Sequence, residues 1–72
     1  MLNTEEFGRR LAKLRRQLGK KQREIADDLG VTPQAVSKWE RGLSCPDILM
    51  LDELAASLGV SIARLFEEND AR

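Results

Sequence analysis

The segment 22–41, QREIADDLGVTPQAVSKWER, constrains the fold more than any other part of this sequence. Three apolar residues in its first half have the spacing of one helix face: Ile25, Ala26 and Leu29. Gly30 is suited to end that helix, because glycine adopts the left-handed conformation without steric cost. A second helix is predicted to start after Gly30, because Thr32 is suited to be its N-cap and Pro33 its first residue. The segment therefore predicts two short helices joined by a tight turn.

The spacing of small residues allows these two helices to cross closely. Ala26 is small, Gly30 follows four residues later, and Val36 lies six residues beyond the glycine. Val36 and Trp39 give the second helix an inner face, so we expect Trp39 in the core. This pattern predicts a helix-turn-helix motif.

Length and composition indicate one small domain, which we predict over residues 1–68, with a frayed tail at 69–72. A chain of 72 residues buries only about 60% of its unfolded surface. Its 42% apolar content argues against disorder. The sequence contains no long apolar run and no leader pattern, so we expect a soluble, cytoplasmic protein without membrane contact.

The residue types also limit the chemistry. Cys45 is the single cysteine and there is no histidine, so we expect no internal disulfide, no metal site and no cofactor. The absence of histidine removes the usual general base and argues against an enzyme. No set of polar residues suggests a pocket for a small-molecule ligand.

The net charge of zero hides a polarity along the chain. Residues 1–42 carry ten Lys/Arg and six Asp/Glu, whereas residues 43–72 carry two and six. The first part therefore has a charge of +4 and the second −4. A basic half that faces nucleic acid is one interpretation, and two oppositely charged solvated faces are the other.

Three further helices are expected around the motif. Asn3 or Thr4 can cap a first helix that ends at Gly19. Its inward stripe is Phe7, Leu11, Leu14 and Leu18, and its outer face carries Arg9, Arg10, Lys13 and Arg16. These cations either approach phosphates or form a solvated face. We predict a fourth helix over 48–58, capped by Asp47 with Ile48 and Leu51 inward, and a short fifth helix over 62–67, capped by Ser61.

At this point the chain resembles the lambda-repressor-like, XRE-type helix-turn-helix DNA-binding proteins. The matching stretches are LRRQLGKKQREIADDLGV, TPQAVSKWERGLSCPDI and LAASLGVSIARLF, and the resemblance covers residues 7–67. It implies a compact, all-α, five-helix domain that binds double-stranded operator DNA. The family's base-reading positions fall on four residues of the third helix: Pro33, Gln34, Ser37 and Lys38. Simple solvation of that helix is the alternative interpretation.

The resemblance also implies contacts with the DNA backbone. Gln22 corresponds to a glutamine that binds a phosphate at the start of the second helix, where an anion is favoured in any case. Thr32 and Arg41 fall at other positions that meet the backbone. We expect Lys20, Lys21 and Arg23 to add nonspecific attraction, although two lysines make a weak cap for the second helix.

Two charged residues have a structural role in the family. An arginine late in the first helix pairs with a glutamate at the end of the third, and these positions are Arg15 and Glu40. The alternative is that both side chains are exposed.

The chain departs from the family pattern in the fourth helix, where apolar residues replace polar ones. From this we predict a homodimer interface formed by Leu49, Met50, Val60, Ile62, Leu65 and Phe66. Mixed core packing is the alternative. As a whole the sequence predicts a homodimeric transcriptional regulator, a repressor in our interpretation, on a palindromic operator. An antitoxin-like regulator with a partner protein and a protein-interaction module of the same fold remain alternatives.

Overall fold

The computed structural model describes residues 3–67, which form four α-helices and two short 3₁₀ helices. The α-helices are α1 (Thr4–Leu18), α2 (Gln22–Leu29), α3 (Pro33–Glu40) and α4 (Leu51–Leu58). The 3₁₀ helices are Ile48–Met50, directly before α4, and Ala63–Leu65, after it. This range contains no strand, and none of its helices is long and apolar enough to cross a membrane. The predicted tail at 69–72 lies outside the described residues.

Side-chain caps fix the start of each of the first three helices. Asn3 Oδ1 accepts hydrogen bonds from two first-turn amides of α1, both at 3.0 Å. Thr32 Oγ1 accepts from the Ala35 amide at 3.1 Å at the start of α3. The start of α2 lacks a capping oxygen on Lys21, but Glu24 Oε1 accepts from the Lys21 amide at 2.8 Å. A carboxylate in the first turn therefore replaces part of the missing cap.

One core joins the four helices. α3 packs against both α1 and α2, and α4 packs mainly against α2. The buried residues of this core are Phe7, Leu11, Leu14, Ile25, Ala26, Leu29, Val36, Trp39, Leu54, Ala55, Leu58 and Leu65. Because Val36 and Trp39 are buried, the opposite face of α3 is left to solvent.

α1 approaches the end of α3 closely at Gly8, a buried glycine in the second turn of α1. A Cβ atom at this position would lie 2.6 Å from the Glu40 carbonyl oxygen and closer still to that of Trp39. Both obstacles are backbone atoms, so no side chain could move to make room. Only glycine permits this distance between the two helices.

A polar cluster joins α2 to the end of α4. Asp28 Oδ2 accepts from Ser57 Oγ at 2.6 Å and from Lys20 Nζ at 2.9 Å. The same ammonium donates to the Ser57 carbonyl oxygen at 2.8 Å, near the negative end of α4. The hydrogen bond from Ser57, followed by that from Lys20, lowers the pKa of the Asp28 carboxyl below its ordinary value.

The described residues form four α-helices rather than the predicted five, because the predicted fifth helix forms only a 3₁₀ turn, and the first turn of the predicted fourth helix is also 3₁₀. At 48–50 the amide of Met50 bonds to the Asp47 carbonyl three residues back, at 2.8 Å, so α4 begins only at Leu51. At 63–65 all three amides from Arg64 to Phe66 bond three residues back. A segment this short cannot offset the cost of starting an α-helix.

Three predicted positions of apolar side chains were wrong. Leu18, assigned to the inner stripe of α1, is 48% exposed because it is the last residue before Gly19 ends the helix. Ile48, assigned inward, is 77% exposed because the 3₁₀ turn rotates it away from the core. Leu65, assigned to the dimer interface, is 1% exposed and belongs to the core, where Arg10 Nη1 donates to its carbonyl oxygen at 3.1 Å.

Replacement of Gly8 by alanine tests the contact between α1 and α3. Alanine favours a helix by up to about 1 kcal/mol over glycine, but here its methyl group would press on two backbone carbonyls. We expect Gly8→Ala to lower the free energy of unfolding by about 1–3 kcal/mol, measured by urea denaturation. Gln17→Ala, an exposed change in the same helix, should stay within about 0.5 kcal/mol of wild type. A stabilising Gly8→Ala would contradict the close approach.

The polar cluster predicts a pH dependence of stability. Because the pKa of Asp28 is lower in the folded than in the unfolded chain, its contribution is present above the unfolded pKa of about 3.9 and is lost as pH falls through the folded value. We therefore expect Asp28→Asn to be destabilising at neutral pH, with the difference from wild type shrinking below about pH 4.

The control for this prediction is Asp27→Asn, which removes the neighbouring exposed carboxylate of α2. It should change stability little at any pH. Ser57→Ala should raise the pKa of Asp28, observed by NMR titration of its carboxyl carbon. An unchanged Asp28 titration in Ser57→Ala would contradict the role of the hydroxyl.

Candidate nucleic-acid interface

The exposed face of α3 is polar and carries most of the predicted base-reading residues. Gln34 and Lys38 are exposed and Ser37 is half-buried. Their spacing of three and four residues places them on one face of the helix, opposite Val36 and Trp39. Pro33, the first residue of α3, is also exposed. The structure thus brings three hydrogen-bonding side chains together on a helix whose other face is fixed in the core.

Glu40, the last residue of α3, is bound by Arg15 of α1. Arg15 Nε donates to Glu40 Oε2 at 2.6 Å and Nη2 donates to Oε1 at 3.0 Å, which is a bidentate pair. The two side chains are only 12% and 6% exposed. Hydrogen bonding to Glu40 raises the pKa of the Arg15 guanidinium, which opposes the lowering by burial. Arg15 Nη1 also donates to the Lys20 carbonyl oxygen at 3.0 Å.

The same carboxylate holds the predicted phosphate-binding glutamine. Gln22 Nε2 donates to Glu40 Oε1 at 2.9 Å, which connects the first residue of α2 to the last residue of α3. Sequence reasoning linked Arg15 to Glu40 and Gln22 to a phosphate, but it did not foresee that all three side chains form one network. A contact between side chains 18 residues apart in sequence leaves no periodic signal.

The remaining predicted phosphate-binding residues occupy different environments. Lys21 and Arg23 are exposed at the start of α2, and Arg41 is exposed directly after α3. Thr32 is exposed, and its hydroxyl is the cap of α3. Lys20 differs from the others, because its ammonium is already bound by Asp28 and the Ser57 carbonyl. Its availability to a phosphate is therefore reduced.

The predicted dimer residues do not form one exposed surface. Leu49 is 84% exposed, and Ile62 and Phe66 are partly exposed, with Phe66 packed against Phe7 at a ring-centroid distance of 5.5 Å. Met50 and Val60 are half-buried and pack against the core. In contrast to the prediction, the neighbouring Ile48 contributes more exposed apolar surface than any of them except Leu49.

Two cations that sequence reasoning left undecided lie beside this interface. Arg9 and Arg16 of α1 line an open groove together with residues of α2 and α3. The signal that could have found them is their seven-residue spacing, which repeats one helix face after two turns. Among residues 3–67 no group of side chains could hold a metal ion.

Comparison with known proteins connects this geometry to a family. The sequence model of a helix-turn-helix family matches residues 11–65. A prophage-derived, uncharacterised HTH-type transcriptional regulator of Bacillus subtilis strain 168, YonR, is 41% identical over 66 residues. That alignment covers 92% of this chain but only 61% of the relative, so the chain spans less than two thirds of that protein.

Solved structures with similar sequences have the same fold. The restriction-modification controller protein C.AhdI of Aeromonas hydrophila has a TM-score of 0.82 at 30% identity, over 88% of this chain and 96% of that one. The P22 c2 repressor, solved in complex with a synthetic operator, has a TM-score of 0.78 at 30% identity, over 85% and 92% of the two chains. The chain belongs to the helix-turn-helix family, in its lambda-repressor-like, XRE-type branch.

Proposed function

We propose that this protein is a sequence-specific DNA-binding transcriptional regulator that reads the major groove of its operator with α3. The observation that carries the proposal is the polar face of α3, held outward by the burial of Val36 and Trp39. A recognition helix presents its N-terminal side chains to base edges in this way. The likeness to the P22 c2 repressor in its operator complex supports the same orientation.

Each side chain of this face has its own recognition chemistry. Gln34 can offer an amide oxygen and an amide N–H to adenine N6 and N7, and Lys38 can donate to guanine O6 and N7. Ser37 both donates and accepts, and it discriminates less. Pro33 has no donor, so it contributes only apolar contact, for example to a thymine methyl group.

The DNA backbone supplies the sequence-independent part of binding. Lys21, Arg23 and Arg41 are exposed around α2 and α3, and Gln22 lies at the first turn of α2. A helix N-terminus favours a phosphate, and the held amide of Gln22 keeps that turn in a fixed position. We include Thr32 and Lys20 as weaker contributors, because both side chains already have partners within the protein.

We further propose repression by a homodimer on a palindromic operator. A two-fold dimer places two copies of α3 on half-sites about one helical turn, roughly 34–36 Å, apart. The exposed side chain of Leu49 supports a contact between copies, and Ile62 and Phe66 are further exposed apolar side chains in the same part of the sequence. Repression follows when such a dimer occupies DNA that the transcription machinery requires. Nothing in this proposal requires catalysis or a cofactor.

Selection from a random pool of DNA duplexes tests base reading and symmetry together. We expect wild type to select a palindrome with half-sites about one helical turn apart. Gln34→Ala and Lys38→Ala should each reduce the base preference at one position of the half-site. The expected loss of discrimination against the wrong base is about 1–3 kcal/mol. The control is Gln17→Ala, an exposed change on α1 that should leave the selected sequence unchanged. Unaltered selection by both α3 variants, with normal melting curves, would refute base reading by this face.

Sedimentation velocity tests the proposed dimer. We expect wild type to dimerise at micromolar concentration and Leu49→Asp to be monomeric, because a charge would replace an exposed apolar contact. Asp52→Asn, an exposed change in the neighbouring α4, should leave the dimer intact. A wild-type monomer at high micromolar concentration, with and without DNA, would rule the homodimer out. If Leu49→Asp still dimerises, the dimer interface does not include Leu49.

A further inference from the structure

The α1–α3 groove is an open depression of about 490 Å³ where three helices meet. Its lining residues are Arg9, Ala12 and Arg16 from α1, Gln22 from α2, and Ser37, Glu40 and Arg41 from the end of α3. Ala12 is small and buried, so it leaves the floor of the groove low between two longer side chains. The groove therefore has a concave centre with cationic edges.

The charge of this groove is positive and largely uncompensated. Arg9, Arg16 and Arg41 are all exposed, and within residues 3–67 neither Arg9 nor Arg16 takes part in an ion pair. The single carboxylate in the lining, that of Glu40, already accepts hydrogen bonds from Arg15 and Gln22. It is thus neutralised by a buried arginine and does not compete for the exposed ones.

The spacing of the two α1 arginines suits an extended anion. Residues seven apart in an α-helix lie on the same face, two turns and about 10.5 Å apart along the axis. A row of this length suits two separate phosphates at its two ends. A chain of phosphates meets this requirement, because each guanidinium can bind a separate phosphate through a planar, bidentate contact.

The groove is continuous with the face that we propose for base reading. Ser37 belongs both to the lining of the groove and to the polar face of α3, and Gln22 lies at its opposite side. A duplex that receives α3 in its major groove carries a phosphate backbone along each edge of that groove. One of these edges would then lie directly over α1.

We propose that the α1–α3 groove binds the sugar-phosphate backbone of the DNA strand beside α3, with Arg9 and Arg16 each contacting a phosphate. This inference rests on the proposed function and extends it to a helix outside the helix-turn-helix motif. Such contacts fix the position of the protein on the duplex but carry no base preference. They also release counterions, so they appear in the salt dependence of binding.

The test is the affinity of full-length Arg9→Gln/Arg16→Gln for two duplexes of equal length, the selected operator and a scrambled sequence, at several salt concentrations. We expect both affinities to fall by a similar factor, with the base preference unchanged. Loss of two phosphate contacts should make the slope of log K against log[salt] less negative by about 1.8. The ratio of wild-type to variant affinity should therefore shrink about tenfold between 50 and 200 mM salt.

Two further variants separate the groove from other effects. Arg64→Gln removes a cation that follows α4 and is not in the groove lining, and it should leave the slope unchanged. Arg9→Lys/Arg16→Lys keeps both charges and should restore the wild-type slope. Thermal melting of each variant verifies folding, and the single variants Arg9→Gln and Arg16→Gln, each expected to change the slope by about 0.9, replace the double variant if it unfolds.

The outcomes distinguish this inference from the proposed function. An unchanged slope in the folded double variant, while wild type still selects an operator, overturns the groove and leaves base reading intact. A reduced slope in a protein that selects no sequence supports the groove and overturns base reading. An equal loss of affinity in Arg64→Gln also overturns the groove, because the loss of any positive charge would then explain the effect. Failure of wild type to bind any duplex overturns both.

Discussion

The carboxylate of Glu40 is the point on which the arrangement of the first three helices depends. It accepts from Arg15 of α1 and from Gln22 of α2 while it is itself the last residue of α3. Replacing such a buried pair by apolar residues is often neutral or stabilising, so its presence is weak evidence for stability alone. The geometry of the Glu40 contacts is stronger evidence for its role in positioning the helices. Three helices meet at one acceptor, and the start of α2 and the exposed face of α3 are therefore held in a fixed relation.

The close contact at Gly8 and the Glu40 network depend on one another. Because no Cβ separates α1 from the end of α3 at Gly8, the two helices lie close enough for the guanidinium of Arg15, two turns further along α1, to reach the Glu40 carboxylate. The same approach brings Arg9 and Arg16 beside α3 and creates the α1–α3 groove. A bulkier residue at position 8 would push the helices apart and weaken all of these contacts together. The close approach of α1 to α3 at Gly8 thus underlies both the packing of these helices and the geometry of the candidate interface.

Local signals predicted the helix-turn-helix segment well, and long-range geometry accounts for the differences. The caps of α1 and α3 and the glycines that end α1 and α2 act within a few residues, so they are readable in sequence. Ile48 and Leu65 were misplaced because apolar periodicity cannot distinguish a 3₁₀ turn from an α-helix over so few residues. Lys20 was read as a surface cation because its partners, Asp28 and Ser57, lie 8 and 37 residues away. The need for glycine at position 8 could not be predicted from the sequence, because it arises from the backbone of α3, which packs against this position.

The helix α2 is held by polar contacts at both ends, and this connects the two differently charged parts of the chain. Gln22 at its start is bound by Glu40, and Asp28 near its end is bound by Ser57 of α4. The acidic C-terminal part therefore contributes to the fold of the basic part, because Ser57 of α4 binds the end of α2. In the proposed dimer, a contact at the exposed residues next to α4 would therefore be connected to α3 through α2 and the carboxylate of Glu40.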